Sequence, residues 1–305
     1  MSEELKPQAA APATPQAAPQ APAAAPKKPA APAAAAPAAP AENDCHVRTI
    51  ERAAFRKEME RLHKEEHMDF LECLTGIDRE DDGLAVIYHL ESTATGKRTC
   101  VQVVCEGRET PNVPTVSDLW DIANIYEREV YDFYGIIFTG HPDMRRIYMR
   151  EDWVGYPFRK DDETEKNNPL RMSFVPHAAT TETYTLTPDG TLTKEQRNIF
   201  GEEDYVVNIG PQHPSTHGVL HFRVCLQGEV IKKIDPILGY IHRGVEKISE
   251  QMTYPQTLAL TDRLDYLGAM QNRHALCMCI EKAMGVEVSD RVKVIRTIMD
   301  ELQRI

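Results

Sequence analysis

No run of about 18 uninterrupted apolar residues occurs in the 305-residue sequence, which predicts that no helix of the chain spans a membrane. Work at a membrane would require partners to hold the chain there. The amino terminus, Met1-Ser2-Glu3-Glu4, lacks a basic stretch followed by a leucine-rich core, which argues against a secretory signal peptide and predicts a cytoplasmic address. Basic charge is also scarce. The 35 Lys and Arg stand against 47 Asp and Glu, and a net charge of −12 argues against unaided nucleic-acid binding, which needs a basic footprint. Cysteine occurs seven times, at 45, 73, 100, 105, 225, 277 and 279, an odd and scattered set lying mostly inside apolar runs. Such a pattern reads as reduced thiols rather than a disulfide framework.

Proline is plentiful in one place only: ten of its 21 residues precede position 41, beside nineteen alanines in residues 1–41. Proline every three to five residues forbids a long helix, and so apolar-poor a segment cannot offset its ordering entropy, so residues 1–43 are expected to form a disordered, extended tether. The rest predicts an α+β chain. From Cys45, the residues Val47, Ile50, Ala54, Met59 and Leu62 recur at helical spacing. Strand-like runs follow at 69–75, 84–92 and 97–105, joined by hairpin chemistry at Asp81-Asp82-Gly83 and Thr95-Gly96-Lys97. A second amphipathic helix is expected to carry Val116, Leu119, Trp120, Ala123, Tyr126, Val130, Phe133 and Tyr134 and to end at Gly135. Together these make a small α+β domain over 44–160.

Residues 161–203 read as a polar linker with turn signals at Asn167-Asn168-Pro169 and Thr187-Pro188-Asp189-Gly190, and it is expected to hold one small hairpin. A second domain over 204–305 begins with hairpin-rich strands at 205–209, 219–226 and 230–234 and continues as helices near 242–252, 263–283 and 289–305. The last repeats Val292, Ile295, Met299 and Leu302, and nothing later in the sequence would cover that face. The expectation is a helical domain that is incomplete here, or completed by another chain.

Three stretches could carry chemistry. The first is Glu127-Arg128-Glu129 with Asp132, then His141-Pro142-Asp143 with Arg145-Arg146, then Trp153-x-Gly155. Alternating charges on a helix are in most cases a solvated face, and no nucleophile, paired carboxylate or metal-ligand set accompanies them, so this half reads as a binding module. The second is Gly210-Pro211-Gln212-His213-Pro214-Ser215-Thr216-His217-Gly218, a rigid turn between strands. Its histidines suit hydrogen bonding or proton delivery better than zinc, because Pro214 and Gly218 forbid the helix that would align them, although a plain turn is an equal reading. The third is His242-Arg243-Gly244-x-Glu246-Lys247 with Asp262-Arg263-Leu264-Asp265-Tyr266. Asp262 and Asp265 suit the first turn of a helix, and Tyr266 at helical spacing from Met270 and Arg273 is more often core than catalyst. Cys277-x-Cys279 is core packing rather than an iron–sulfur motif, which needs about four closely spaced thiolates.

Taken together, these stretches resemble respiratory complex I, the proton-pumping NADH:quinone oxidoreductase. The first, from Tyr126-Glu127-Arg128-Glu129 through His141-Pro142-Asp143-Met144-Arg145-Arg146 to Trp153-x-Gly155 and Arg159-Lys160-Asp161, is similar to the signature of its C-type (30 kDa) component. The second and third resemble the start of its D-type (49 kDa) component, so the chain looks like a fused C/D subunit. The segment Tyr148-Met149-Arg150-Glu151 is a looser match than the rest.

The resemblance implies a peripheral subunit on the cytoplasmic side of a bacterial membrane, held by other peripheral-arm subunits, notably the cluster-bearing B-type subunit, and by membrane-arm subunits. It implies that His217 and Tyr266 contact the carbonyls of a quinone, with His213 and Gly218 on the pocket loop and Arg243 near the 4Fe-4S cluster of the neighbouring subunit. Glu127, Arg128, Glu129, Asp132, His141, Asp143, Arg145 and Arg146 would form a subunit-docking signature. No cofactor is expected on this chain alone; FMN, NADH and the iron–sulfur cluster belong to partners, and the isolated chain is expected to be inactive. A complete D-type component runs several hundred residues further, so a longer gene product is expected, the alternative being a docking scaffold without chemistry. A membrane-bound nickel–iron hydrogenase large subunit is disfavoured, because Asp265-x-x-Gly268 stands where a Cys-x-x-Cys would hold nickel.

Overall fold

The computed structural model describes residues 47–162, 168, 175–212, 214 and 218–305; the predicted tether at 1–43 lies outside them. Among the described residues no helix is long and apolar enough to cross a membrane. The architecture is mixed α+β, as the hairpin and helix signals predict.

Strands β1 (Val47–Ile50), β2 (Phe70–Asp78), β3 (Leu84–Glu91) and β4 (Arg98–Val104) form a sheet in the order β1-β4-β3-β2. Both predicted hairpin turns are where β2, β3 and β4 reverse, and these three strands pair antiparallel, Ala85 lying opposite Val104 and Gly76 opposite Val86. The residues before Glu51 differ from expectation. Val47–Ile50 is not the start of a helix but an edge strand parallel to β4, Val47 opposite Cys100. Three β-branched residues, Val47, Thr49 and Ile50, and a waiting sheet edge outweigh a short periodic match.

Helix α1 (Arg52–Lys64) buries Phe55, Met59 and Leu62, one stripe at the spacing of a helix face, against that sheet. Helix α2 (Ala123–Tyr134) covers β2 and stops at Gly135, whose φ of 70° is cheap only without a Cβ; its N–H reaches Tyr131 O at 2.8 Å. Val116, Leu119 and Trp120 belong to turns before α2 rather than to the helix itself. The reason is a side chain one helical turn inside α2. Glu127 takes the Val116 N–H and the Thr115 hydroxyl, so the chain is anchored before the helix begins. Short parallel strands β5 (Asn112–Pro114) and β6 (Ile137–Thr139) close this half.

The predicted linker hairpin forms as β7 (Thr180–Leu186) and β8 (Leu192–Asn198), turning at Thr187–Gly190, where the Gly190 N–H donates to Thr187 O at 2.9 Å. It touches both halves. Gly140 and Met144 donate backbone hydrogen bonds to Tyr184 and Glu182, while Lys233 and Arg223 reach Ile199 O and Ala178 O. Beyond it, β9 (Tyr205–Ile209), β10 (His221–Gln227) and β11 (Val230–Ile237) form a second antiparallel sheet, ordered β11-β10-β9.

Four helices follow among the described residues: α3 (Val245–Ser249), α4 (Tyr254–Thr261), α5 (Ala269–Met284) and α6 (Asp290–Arg304). Helix α4 is the element that hydrophobic spacing misses. Its signal is local: Thr253 and Gln256 form a reciprocal capping box, and Pro255 stands in the first turn. Asp262 is therefore the C-cap of α4, and 263–268 is a turn, so neither Asp262 nor Asp265 opens a helix. Helices α5 and α6 are tied by Arg296 to Glu281 at 2.6 and 2.9 Å and by His274 to Asp300 at 2.6 Å. No residue of α3 to α6 is fully buried, and Ile295, Ile298 and Leu302 stand exposed on α6.

Candidate functional site: a buried polar spine and a strand-to-strand turn

The charged stretch of α2 is not a solvated face. Glu127 and Asp132 are fully buried, Arg128 nearly so, and the segment 141–149 wraps over them. Hydrogen bonds explain how these polar groups can sit there. Glu127 accepts from Thr115 Oγ1 at 2.5 Å and Val116 N at 2.7 Å. His141 Nδ1 accepts the Asp143 N–H at 2.9 Å, which leaves Nε2 as the donor to Asn124 O at 3.1 Å and fixes the neutral tautomer. Asp132 Oδ2 accepts three successive backbone N–H groups, from Ile147, Tyr148 and Met149, while Oδ1 takes Arg146 at 2.7 Å. Arg146 then reaches the carbonyls of Trp153 and Gly155, which gathers the whole signature into one network.

The spine does not stop at this half. Arg128 donates to the carbonyls of Arg145 and Arg146, at 3.1 and 3.0 Å. Arg145 is thereby turned to hold Asp143 on one side and, on the other, the buried carboxylate of Asp235 on β11, to which Arg223 of β10 also donates at 2.6 and 2.8 Å. Burial disfavours the Asp235 carboxylate, but hydrogen bonds from Arg145 and Arg223 outweigh it and hold it below the usual range. Asp235 and Arg223 escape sequence reading, although an acid inside the apolar run Ile234-Asp235-Pro236-Ile237 is itself a signal.

Burial pushes the Glu127 carboxyl up to about 8 and the His141 imidazole down to about 4, so both are neutral at mid-range pH. The two act in opposite directions. His141, with its folded value depressed, contributes stability above the unfolded value of 6.5 that is lost as pH falls through about 4. Glu127, with its folded value raised, contributes stability below 4.5 that is lost as pH rises through about 8. Between pH 4.5 and 6.5 they offset one another; above about 7, once Glu129 has also titrated, the Glu127 slope stands alone. Unfolding free energy is expected to fall by about 2 kcal/mol between pH 6.5 and 8, and Glu127→Gln to flatten that slope in denaturant titrations. An unchanged slope in the variant would contradict the assignment. Nearby Glu129 is raised to about 7 by burial, with Glu246 of α3 and Asp132 adding to it.

The second predicted stretch connects β9 to β10. Gln212 and Val219 form an isolated bridge at its base, and Gly210 packs so tightly on the Leu220 carbonyl that a Cβ there would overlap it. Pro214 and Gly218 lie on this turn; His213 and His217 lie outside the described residues. Tyr266 is not core: it is 77% exposed on the turn between α4 and α5. Arg243 is exposed beside His242, whose ring stacks on Tyr148 and Phe133 at 5.3 and 5.4 Å, so the first half sets where this loop sits. Among the described residues, no group of three or more His, Cys, Asp or Glu is placed to hold a metal ion.

Residues 48–168 match the family described as respiratory-chain NADH dehydrogenase, 30 Kd subunit. A relative from Bacteroides thetaiotaomicron, the C/D subunit of an NADH-quinone oxidoreductase, is 63% identical over 269 residues, covering 85% of this chain and 51% of the relative. The protein of the same name from Nitrosospira multiformis is 38% identical over 236 residues, covering 76% of this chain and 38% of the relative. The chain belongs to the family of NADH-quinone oxidoreductase C/D subunits. It spans about half the length of the C/D relatives from Bacteroides. The part that matches the 30 kDa family holds the whole network from Glu127 to Gly155, and Arg145 carries it on to the second sheet of this C/D chain.

Proposed function

We propose that this chain serves as a peripheral-arm subunit of the proton-translocating NADH:quinone oxidoreductase, complex I, and supplies part of the quinone pocket. The observation that carries the reading is 63% identity to a curated C/D subunit over 269 residues. Reduction of a quinone to a quinol consumes two electrons and two protons. The electrons come from the iron–sulfur cluster of the B-type partner, loaded by NADH through FMN in other subunits. This chain supplies the proton donors that reduction needs, His217 in the 210–218 stretch and Tyr266, for the oxygens where negative charge develops. Arg243 stands on the side of the cluster. Partners hold the chain at the cytoplasmic side of the membrane, and the isolated chain is inactive.

Domains follow the same division: 44–160 C-like, 161–203 connecting, 204–305 the beginning of the D-like part. Exposure of Tyr266 fits a pocket closed only by chain beyond these elements; it equally favours a second reading, in which this chain docks without quinone chemistry. Affinity purification from native membranes separates the two. Recovery with cluster-bearing subunits and NADH:quinone activity supports the first, whereas recovery in an assembly that binds no quinone supports the second. In the assembled complex, Tyr266→Phe removes one donor and is expected to lower quinone reduction on the order of tenfold to a hundredfold, with NADH oxidation by soluble acceptors intact. Unchanged quinone kinetics would remove Tyr266 from the site.

A further inference from the structure

A cleft of about 170 Å³ opens between residues 145–151 and 236–240, and His177 and Tyr240 lie on its wall. Behind them runs a hydrogen-bonded chain that the polar spine does not use. His177 Nε2 is 3.2 Å from Tyr240 Oη, Tyr240 Oη is 3.0 Å from His221 Nδ1, and His221 Nε2 is 3.3 Å from Asn208 Oδ1. The rings pack together, His177 edge-on to His221 with centroids 5.3 Å apart. His177 is partly exposed and His221 is buried, so the chain leads from the cleft inward.

Its direction follows from donor counting. The Asn208 amide oxygen can only accept, so His221 Nε2 carries the proton and Nδ1 is an acceptor. Tyr240 has one hydrogen and must donate it to His221, so it accepts from His177 Nε2–H. The basic nitrogen of His177, Nδ1, is left as the entry point. Burial lowers both histidines, with Arg223 adding to it at each and His221 adding more at His177; Asp235 and Arg145 are the other charges that face them.

The inner end is well placed. His221 opens β10, where Phe222 pairs with Ile209 and Gly210 packs on Leu220 O and His221 Cα, so His221 stands at the foot of the 210–218 turn. We propose that His177, Tyr240 and His221 form a proton relay that recharges the foot of this turn from the cleft. A proton binds His177 Nδ1; the Nε2 proton passes to the Tyr240 oxygen as the phenol proton passes to His221 Nδ1. One proton enters, His177 and Tyr240 end neutral with their hydrogen bond reversed, and His221 becomes the imidazolium. The proposal rests on the reading that quinone reduction consumes protons at this turn. It names the route by which they are replaced.

Two measurements test it. In the full chain labelled with nitrogen-15 at histidine, the shifts of His221 should report a protonated Nε2 and a bare Nδ1; a protonated Nδ1 overturns the relay. In the assembled complex, Tyr240→Phe keeps the ring and breaks the wire. Quinone reduction is expected to fall about tenfold or more, with the loss growing as pH rises and protons become scarce. Reduction of soluble acceptors, which bypasses the quinone, is the reference. Should Tyr240→Phe disturb assembly, His177→Gln at the exposed end keeps a hydrogen-bond donor but cannot bind a proton, and the same loss is expected. Quinone reduction with an unchanged pH profile in whichever variant assembles overturns the relay. Tyr266→Phe, assayed alongside, then shows whether the quinone site itself survives.

Discussion

Replacing Asp132 by alanine is expected to destabilise the chain by about 5 kcal/mol, because the change strands several groups at once. Three backbone N–H groups, of Ile147, Tyr148 and Met149, lose a shared oxygen, and the largely covered Arg146 guanidinium loses its carboxylate and keeps only carbonyl partners. Each orphaned buried donor costs about 1–3 kcal/mol, and an uncompensated buried charge about 3–5 kcal/mol. Amide hydrogen exchange gives a local reading: the three amides should be strongly protected in the native chain and lose that protection in the variant. Asp132→Asn keeps an acceptor oxygen without the charge and should fall between the two. A cost below about 1 kcal/mol would mean that water reaches these amides.

Asp235→Ala is expected to cost about 3–5 kcal/mol, with its effect concentrated where the second sheet meets the segment 141–151. Arg145 and Arg223 share this carboxylate across 90 and 12 residues of sequence, so its loss leaves two guanidinium groups crowded together without the charge between them. Arg145 keeps Asp143 and Arg223 keeps Ala178 O, which limits the damage to the junction. Arg145→Met alone should cost less than Asp235→Ala. In the double variant the two costs should fall short of their sum, since the same contact is removed twice. Strict additivity in a double-mutant cycle would show the pair to be uncoupled. Protease should also cut Asp235→Ala faster around 141–151.

Hairpins were the most legible part of the fold. Asp81-Asp82-Gly83, Thr95-Gly96-Lys97 and Thr187–Gly190 each turn a chain that reverses within a few residues, and β9 spans the predicted 205–209. Gly135 likewise closes α2 by its own conformational freedom. Helix α4 was legible in its capping box and proline but not in its apolar spacing, which is why the pattern between 242 and 283 divided wrongly. The first residues failed for another reason: whether Val47–Ile50 is a strand depends on β4, which lies some fifty residues further on.

The charges show the same division more sharply. A Glu-Arg-Glu run on a helix gives no sign, in its own spacing, of whether water or protein will face it, and the bland reading of a solvated surface would have been wrong for Glu127, Arg128 and Asp132. Likeness to a family, rather than physical patterning, marked those residues in advance, and it also marked the 210–218 turn. By itself the sequence determined the class of the fold, the reversals of its strands and the stretches worth attention, because turn chemistry, capping and periodicity act within a few neighbouring residues. Only the tertiary structure decided which charges are buried, that Arg145 closes on Asp235, and that two histidines and a tyrosine line up in one direction. Those outcomes depend on partners tens of residues away, brought within hydrogen-bonding reach only when the two sheets and the hairpin between them are packed.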